Sequence, residues 1–237
     1  MGHLSKPLKL GFIGIDPGKM GAIALLLPDG DKWKATAQFM PTVTTSTRKK
    51  GLSPAGKPKY SRKTEYDRWK LVQLIYEFLY TAQDLCCDCH IAIENQQARP
   101  TDSKGNVFAT AQGFGMLEMA VITARALLAR TQANIWSFQE QPGMYHLVSP
   151  TAWKPRYVQV GADKAASVTA CRRLYPDLPL PLVKDEAKAE AVLIADYCLR
   201  TFYGLDFPNP RKAPGRKATS KDKVVRKAKP PRKSNKR

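Results

Sequence analysis

The chain has 237 residues, enough for one large domain or a domain with tails, and its 43% apolar content is ordinary for a packed core. Its 39 Lys and Arg against 20 Asp and Glu leave a formal charge of +19, which implies a polyanionic partner, nucleic acid ahead of an anionic membrane. No apolar run approaches the roughly 20 residues that cross a bilayer, and the opening MGHLSKPLKL lacks a signal-peptide core and misses the myristoylation pattern, so no membrane partner is expected.

Residues 1–8 read as a leader, followed by one domain over 9–208. The domain opens with GFIGIDPGKMGAIALLL at 11–27, two apolar runs around a single carboxylate, Asp16, and an Asp-Pro-Gly-Lys turn. Pro17 fixes its own φ and Gly18 supplies permissive backbone, so the chain reverses and returns as a second strand, leaving Asp16 on the rim of a sheet. Such a carboxylate either hydrogen-bonds its own turn or must be paired, protonated or bound to a cation. Residues 32–40 alternate as a third strand. Residues 41–62, rich in Pro, Gly, Ser, Thr and basic side chains, read as a long basic loop inserted in the domain.

A helical period follows over 63–83, with Trp69, Val72, Ile75, Tyr76 and Leu79 on one face. Residues 89–94 (CHIAIE) form a buried fourth strand ending at Glu94. The preceding Cys86-Cys87-Asp88-Cys89-His90 formally matches a haem-attachment string, but nothing directs export and no further zinc ligands follow, so neither haem nor zinc is expected. Five cysteines without a secretion signal favour reduced thiols, hence a cytoplasmic, nucleoid-associated or equivalent reducing, DNA-containing compartment. His90 and His146 stand apart from each other and from any nucleophile, which leaves a hydrolase triad without backing.

A second long helix is expected over 106–130, where Gly113, Gly115 and Ala120 leave a smooth surface for close packing on its own sheet, another helix or a second subunit. Residues 133–138 read as a fifth strand, 163–174 as a helix stopping before Pro176, and 187–203 as a final helix. From 209 onward no apolar face recurs: residues 211–237 hold 13 Lys and Arg and one acid, Asp222, and so contribute +12 of the charge as a disordered basic tail. The tail suits phosphate binding through counterion release, or solubility or localisation.

The element order describes a mixed sheet with helices on its faces, and right-handed crossovers set the fourth strand beside the first. Asp16 and Glu94 then project from neighbouring strand ends. Glu186 and Glu190 lie four apart at the start of the last helix, on one face, where they can reach the same rim or merely favour the helix macrodipole. Asp185 replaces Glu186 if that helix starts differently. Converging carboxylates need positive charge between them, and oxygen-only ligation selects Mg²⁺ or Mn²⁺, two of which can activate a water and stabilise a departing phosphodiester oxygen. Lys19, Lys154, Lys164 and the basic side chains of 41–62 are candidates to neutralise phosphates around the pocket.

IGIDPG followed by GA, the short IE strand end and AEAVLIADY together resemble the RuvC-type Holliday junction resolvases of the ribonuclease H-like superfamily, in particular their phage, bacterial and plastid relatives. The resemblance covers roughly 9–203, and SPTAWKPRYVQVGADKAAS at 149–167 is similar to the family segment carrying two basic residues, here Lys154 and Lys164. It implies a ribonuclease H-like α/β fold, a mixed five-stranded sheet of order 3-2-1-4-5 with helices on both faces. It implies Asp16, Glu94, Glu186 and Glu190 as ligands of two Mg²⁺ or Mn²⁺ ions, with Asp16 bridging both. Lys154 and Lys164 would serve the DNA backbone and the scissile-phosphate region.

The implied reaction is paired, symmetrical nicking of a four-way DNA junction by a homodimer, leaving 5′-phosphate and 3′-hydroxyl ends. Two departures stand out. The bacterial pattern has an aromatic after its Glu, where this chain reads Glu94-Asn-Gln-Gln97, so Gln97, Arg99 or Phe108 would open the junction. That pattern also sets aspartates three apart on the last helix, where glutamates four apart stand here. The competing readings are a silent DNA-architectural protein and an actin-like or sugar-kinase phosphotransferase, the latter lacking a second Asp-Gly phosphate loop.

Overall fold

The computed structural model describes residues 10–52, 58–85, 88–96, 101, 103–131, 145–159, 161, 165–181 and 183–208. In chain order the elements are β1 (Leu10–Asp16), β2 (Ala22–Asp29), β3 (Lys32–Phe39), β4 (Thr42–Leu52), β5 (Pro58–Tyr66), α1 (Arg68–Asp84) and β6 (Asp88–Glu94). After these come α2 (Lys104–Thr131), β7 (His146–Val148), α3 (Pro150–Tyr157), α4 (Ala165–Leu174) and α5 (Glu186–Tyr203).

The main sheet runs β3-β2-β1-β6-β7, which in order of its own strands is the 3-2-1-4-5 arrangement the sequence implied. β1 is antiparallel to β2 and parallel to β6, and β7 extends the sheet parallel to β6. Both faces of β1 are apolar because each is covered. Phe12 points into a core with α3, α4 and α5, while Ile13 and Ile15 point into a second core with α1 and α2. Residues 133–138, expected as the fifth strand, lie outside the described residues; the strand found beside β6 is His146–Val148.

Gly14 sets how closely α5 lies on the sheet. A Cβ there would fall 2.1 Å from the Ala191 carbonyl oxygen and 2.5 Å from the Ala195 nitrogen, so β1 and α5 meet backbone to backbone. With Ala at 191 and 195 and Gly at 14, the helix start is held against the end of β1.

The expected basic loop at 41–62 is instead the hairpin β4–β5, a two-stranded sheet of its own. Thr42, Val43, Thr44, Thr45 and Thr47 are β-branched and favour extended backbone, whereas the loop-forming Gly and Pro cluster further on in the sequence, at 51–58. The hairpin also takes residues 63–66 from the helix expected over 63–83. That helix starts at Arg68 because Asp67 caps it, its side chain accepting from the Lys70 amide at 3.2 Å. α3 went unforeseen, although Ser149-Pro150 is a helix start: Ser149 accepts from the Thr151 amide at 3.3 Å and Pro150 occupies the first turn.

By length and composition alone the stretch Lys104–Arg130 is apolar enough to cross a membrane, unlike the expectation from charge and run length. Here α2 packs along α1, burying Leu117, Ala120, Val121 and Ala124 in the second core. Of the small residues singled out in it, Gly113 makes room for the Tyr66 ring, Gly115 faces open space and Ala120 is buried in the second core. The basic tail and the leader lie outside the described residues.

A candidate active site at the ends of the central strands

The last registered pair between β1 and β6 is Ile15–Ile93, and the next residue on each strand is an acid, Asp16 and Glu94. Parallel strands place both at the carboxyl edge of the sheet, where open α/β folds keep their ligands. Beyond Asp16 the chain turns through Gly18, whose φ of +114° suits glycine, and Gly21 N–H closes the turn on the Gly18 carbonyl at 3.0 Å. The turn is pinned from both sides. Gly18 N–H donates to the Tyr66 hydroxyl at 3.1 Å, and the Gln96 amide donates to the Pro17 carbonyl at 2.7 Å.

A cleft of about 660 Å³ opens over this turn, lined by Asp16, Lys19, Tyr66, Gln96, Asn106, Thr110, Glu186 and Glu190 among others. Glu186 and Glu190 come from the first turns of α5, brought there by the close approach at Gly14. Glu94 lies deeper, 8% exposed, and accepts from the Trp153 indole N–H at 2.9 Å. Glu190 Oε1 accepts from the Ser167 hydroxyl at 3.1 Å and lies 3.0 Å from the Lys154 ammonium.

These carboxylates feel one another. Burial pushes the Asp16 carboxyl up to about 8, with Glu190, Glu94 and Glu186 adding to the rise and Lys154 opposing it. Burial likewise raises Glu94, against the lowering effect of its Trp153 hydrogen bond and of Lys154. Burial alone would lower the Lys154 ammonium, but Glu190, Glu94 and Asp16 outweigh it and hold its pKa above the usual lysine value. One cation thus sits among three acids.

The carboxylate oxygens around that ammonium are hard donors of the kind that suit Mg²⁺ or Mn²⁺. Among the described residues no three His, Cys, Asp or Glu side chains are already gathered as a metal-holding group, so ligation would take side-chain rotation from the positions seen. Asp185, the alternative to Glu186, is 5% exposed, precedes α5 and lies 3.7 Å from the Lys188 ammonium rather than on the cleft wall.

Of the residues singled out in the sequence, Asp16, Lys19, Glu186 and Glu190 line the cleft, and Glu94 and Lys154 interact with them from behind its wall. Gln97, Arg99 and Lys164 lie outside the described residues. Phe108 is 70% exposed on α2, between the cleft-lining Asn106 and Ala109. His90 and His146 are not isolated from each other as their sequence separation implied: parallel pairing of β6 and β7 stacks their rings 5.7 Å apart. They lie with Phe12 and Phe202, and His90 is four residues before Glu94. Cys89 is buried in β6, while Cys86 and Cys87 lie outside the described residues.

Trp153, Ser167, Tyr66 and Gln96 escaped the sequence reading as site residues. Only for Trp153 was there a signal, since the Ser149-Pro150 cap would have put it on a helix beside Lys154.

No family model matches the sequence, and no curated protein does. Among solved structures, the chain is similar to Thermus thermophilus RuvC in complex with a Holliday junction substrate, with 16% identity and a TM-score of 0.47 over 82% of this chain and 94% of that one. It is also similar to a second Thermus thermophilus RuvC structure, with 14% identity and a TM-score of 0.44 over 84% of this chain and 99% of that one.

Proposed function

We propose that this protein is a RuvC-type resolvase, a divalent-metal-dependent endonuclease that nicks four-way DNA junctions in symmetrical pairs. The observation that carries the reading is the rim itself: Asp16 and Glu94 end adjoining parallel strands, with Glu186 and Glu190 facing them from α5. An electropositive protein that gathers its acids at one strand edge is built to take up a cation and a polyanion together. The motif resemblance in residues 9–203 supplies the junction as substrate.

Asp16, Glu94, Glu186 and Glu190 would hold the Mg²⁺ or Mn²⁺. A cation bound there supplies an activated water and neutralises charge developing on the departing oxygen. The rest falls to the chain. Trp153 holds the Glu94 carboxylate in one orientation, and Ser167 with Lys154 does the same for Glu190. Lys19 sits on the cleft wall, where an ammonium meets a phosphate entering over the Asp16 turn. Asn106 and Thr110 of α2 line the cleft, while Phe108 is exposed on that helix without lining it.

Paired nicks require two sites, so the active species is proposed as a homodimer. The exposed Met119 and Leu127 of α2, beside a groove of about 460 Å³ lined by Val72, Gly115 and Met116, favour that helix as the contact. The tail over 209–237 is proposed to add phosphate affinity, and the free Cys171 and Cys198 suit a reducing, DNA-containing compartment.

The decisive experiment is cleavage of a synthetic four-way junction and of linear duplex, with and without Mg²⁺. Wild type is expected to cut the junction preferentially and only with metal, and Asp16→Asn to bind without cutting. Binding without cutting by wild type would favour the architectural reading instead.

A further inference from the structure

The β4–β5 ribbon pairs with no strand of the main sheet, and its two faces differ. Opposed residues of an antiparallel pair share a face and alternate pairs swap sides. Thr42–Tyr66, Thr44–Thr64, Ser46–Arg62 and Arg48–Tyr60 therefore form one face, and Val43–Glu65, Thr45–Lys63 and Thr47–Ser61 the other. On the second face the Lys63 ammonium is 2.6 Å from Glu65. On the first, Arg48 and Arg62 are exposed and make no ion pair among the described residues, and Tyr60 is 60% exposed beside Arg48.

That first face starts at the cleft. Tyr66, its innermost member, holds the turn after Asp16 through Gly18. From Tyr66 the residues step outward by two at about 6.8 Å, putting Arg62 about 14 Å and Tyr60 about 20 Å away. At 3.4 Å per base pair that row spans about six base pairs of duplex.

We propose that this face is a nucleic-acid contact surface that holds the duplex arm leaving the cleft. Arg62 and Arg48 take successive backbone phosphates through their guanidinium forks, and Tyr60 lies against the sugar or base at the outer end. The Ser46 hydroxyl lies opposite Arg62, and on the cleft side the mutually hydrogen-bonded Thr44 and Thr64 hydroxyls leave one hydrogen able to donate to a phosphate oxygen. The proposal rests on the junction-nuclease reading for its substrate, but it is read by binding rather than by cutting.

The test compares neighbours in sequence that face opposite ways. Arg62→Ala and Lys63→Ala in the full chain each remove one exposed positive charge, so long-range attraction changes equally. Binding of a labelled four-way junction is measured from 50 to 200 mM salt in EDTA. Arg62→Ala is expected to weaken binding several-fold and to reduce the slope of log K against log salt by about 1, and Arg48→Ala with Arg62→Ala by about 2. Tyr60→Ala weakens binding with the slope unchanged. Lys63→Ala stays within about twofold of wild type, its slope intact. Equal effects of Arg62→Ala and Lys63→Ala, or a wild-type slope in the double variant, overturn the proposal. Junction binding without metal-dependent cutting sinks the nuclease reading while the face comparison still decides this one; no binding of any DNA sinks both.

Discussion

The Lys154 ammonium and Glu190 Oε1 are 3.0 Å apart, and the same oxygen accepts from Ser167. Lys154 is thereby the internal counter-ion of an acidic cluster that also includes Asp16 and Glu94. A divalent ion entering the cleft meets a site already partly neutralised.

Replacing Lys154 with Met keeps most of the volume and removes the charge. The acids then repel one another without relief, so in EDTA at pH 8 the variant is expected to melt below wild type. The stronger negative potential attracts cations more tightly, so the rise in Tm on adding Mg²⁺ should exceed that of wild type. Thermal melts across a Mg²⁺ titration read both; an identical Mg²⁺ response in the two proteins would mean that Lys154 lies outside the cation's field.

The raised Asp16 carboxyl has a definite sign for stability. Its ordinary pKa of 3.8 applies to the unfolded chain, and about 8 to the fold. Between those values the folded protein keeps a proton that the unfolded chain has released, so stability is fully present below about pH 4 and is lost as pH rises through 8. Asp16→Asn has no such proton. Without metal, wild type is expected to lose stability relative to Asp16→Asn between pH 5 and pH 9, on the order of a few kcal/mol. Urea melts at the two pH values in EDTA measure the difference, and a constant gap across them would contradict the argument.

Trp153→Phe retains an aromatic ring but strips the donor from Glu94. A buried carboxylate oxygen without its partner costs about 1–3 kcal/mol. Cutting should fall more than junction binding, because Glu94 loses its orientation while the phosphate contacts stay. Equal losses in both would make Trp153 a packing residue only.

At Gly14 an added methyl group meets backbone, which has nowhere to go. Gly14→Ala is expected to cost about 1–3 kcal/mol or more as α5 lifts from β1, and to reduce cutting out of proportion because Glu190 adjoins Ala191. Gly115→Ala, on an open stretch of α2, is the counterpart and should stabilise the helix by about 1 kcal/mol. Denaturant midpoints of the two variants should move in opposite directions.

The rim positions of Asp16 and Glu94 were legible because each acid abruptly ends an apolar run, as a strand end at a rim allows, whereas the full sheet order came from the family resemblance. Local composition misled at 41–62, where Ser and Thr signal both loop and strand and only cross-strand pairing decides between them. The role of Trp153 was not legible, because nothing local shows that its N–H faces an acid 59 positions earlier in the chain. Long-range partners of this kind exist only once the chain has closed.

Helix α5 carries a third acid, Asp196, that is only 1% exposed. Its oxygens accept from the Tyr157 hydroxyl at 2.7 Å, the Tyr175 hydroxyl at 2.6 Å and the Arg200 guanidinium at 2.6 Å. Three of its roughly four lone pairs are thus occupied by the protein's own hydrogens. The middle of the helix spends its acid on the fold, and the acids left facing open space are those over the strand tips.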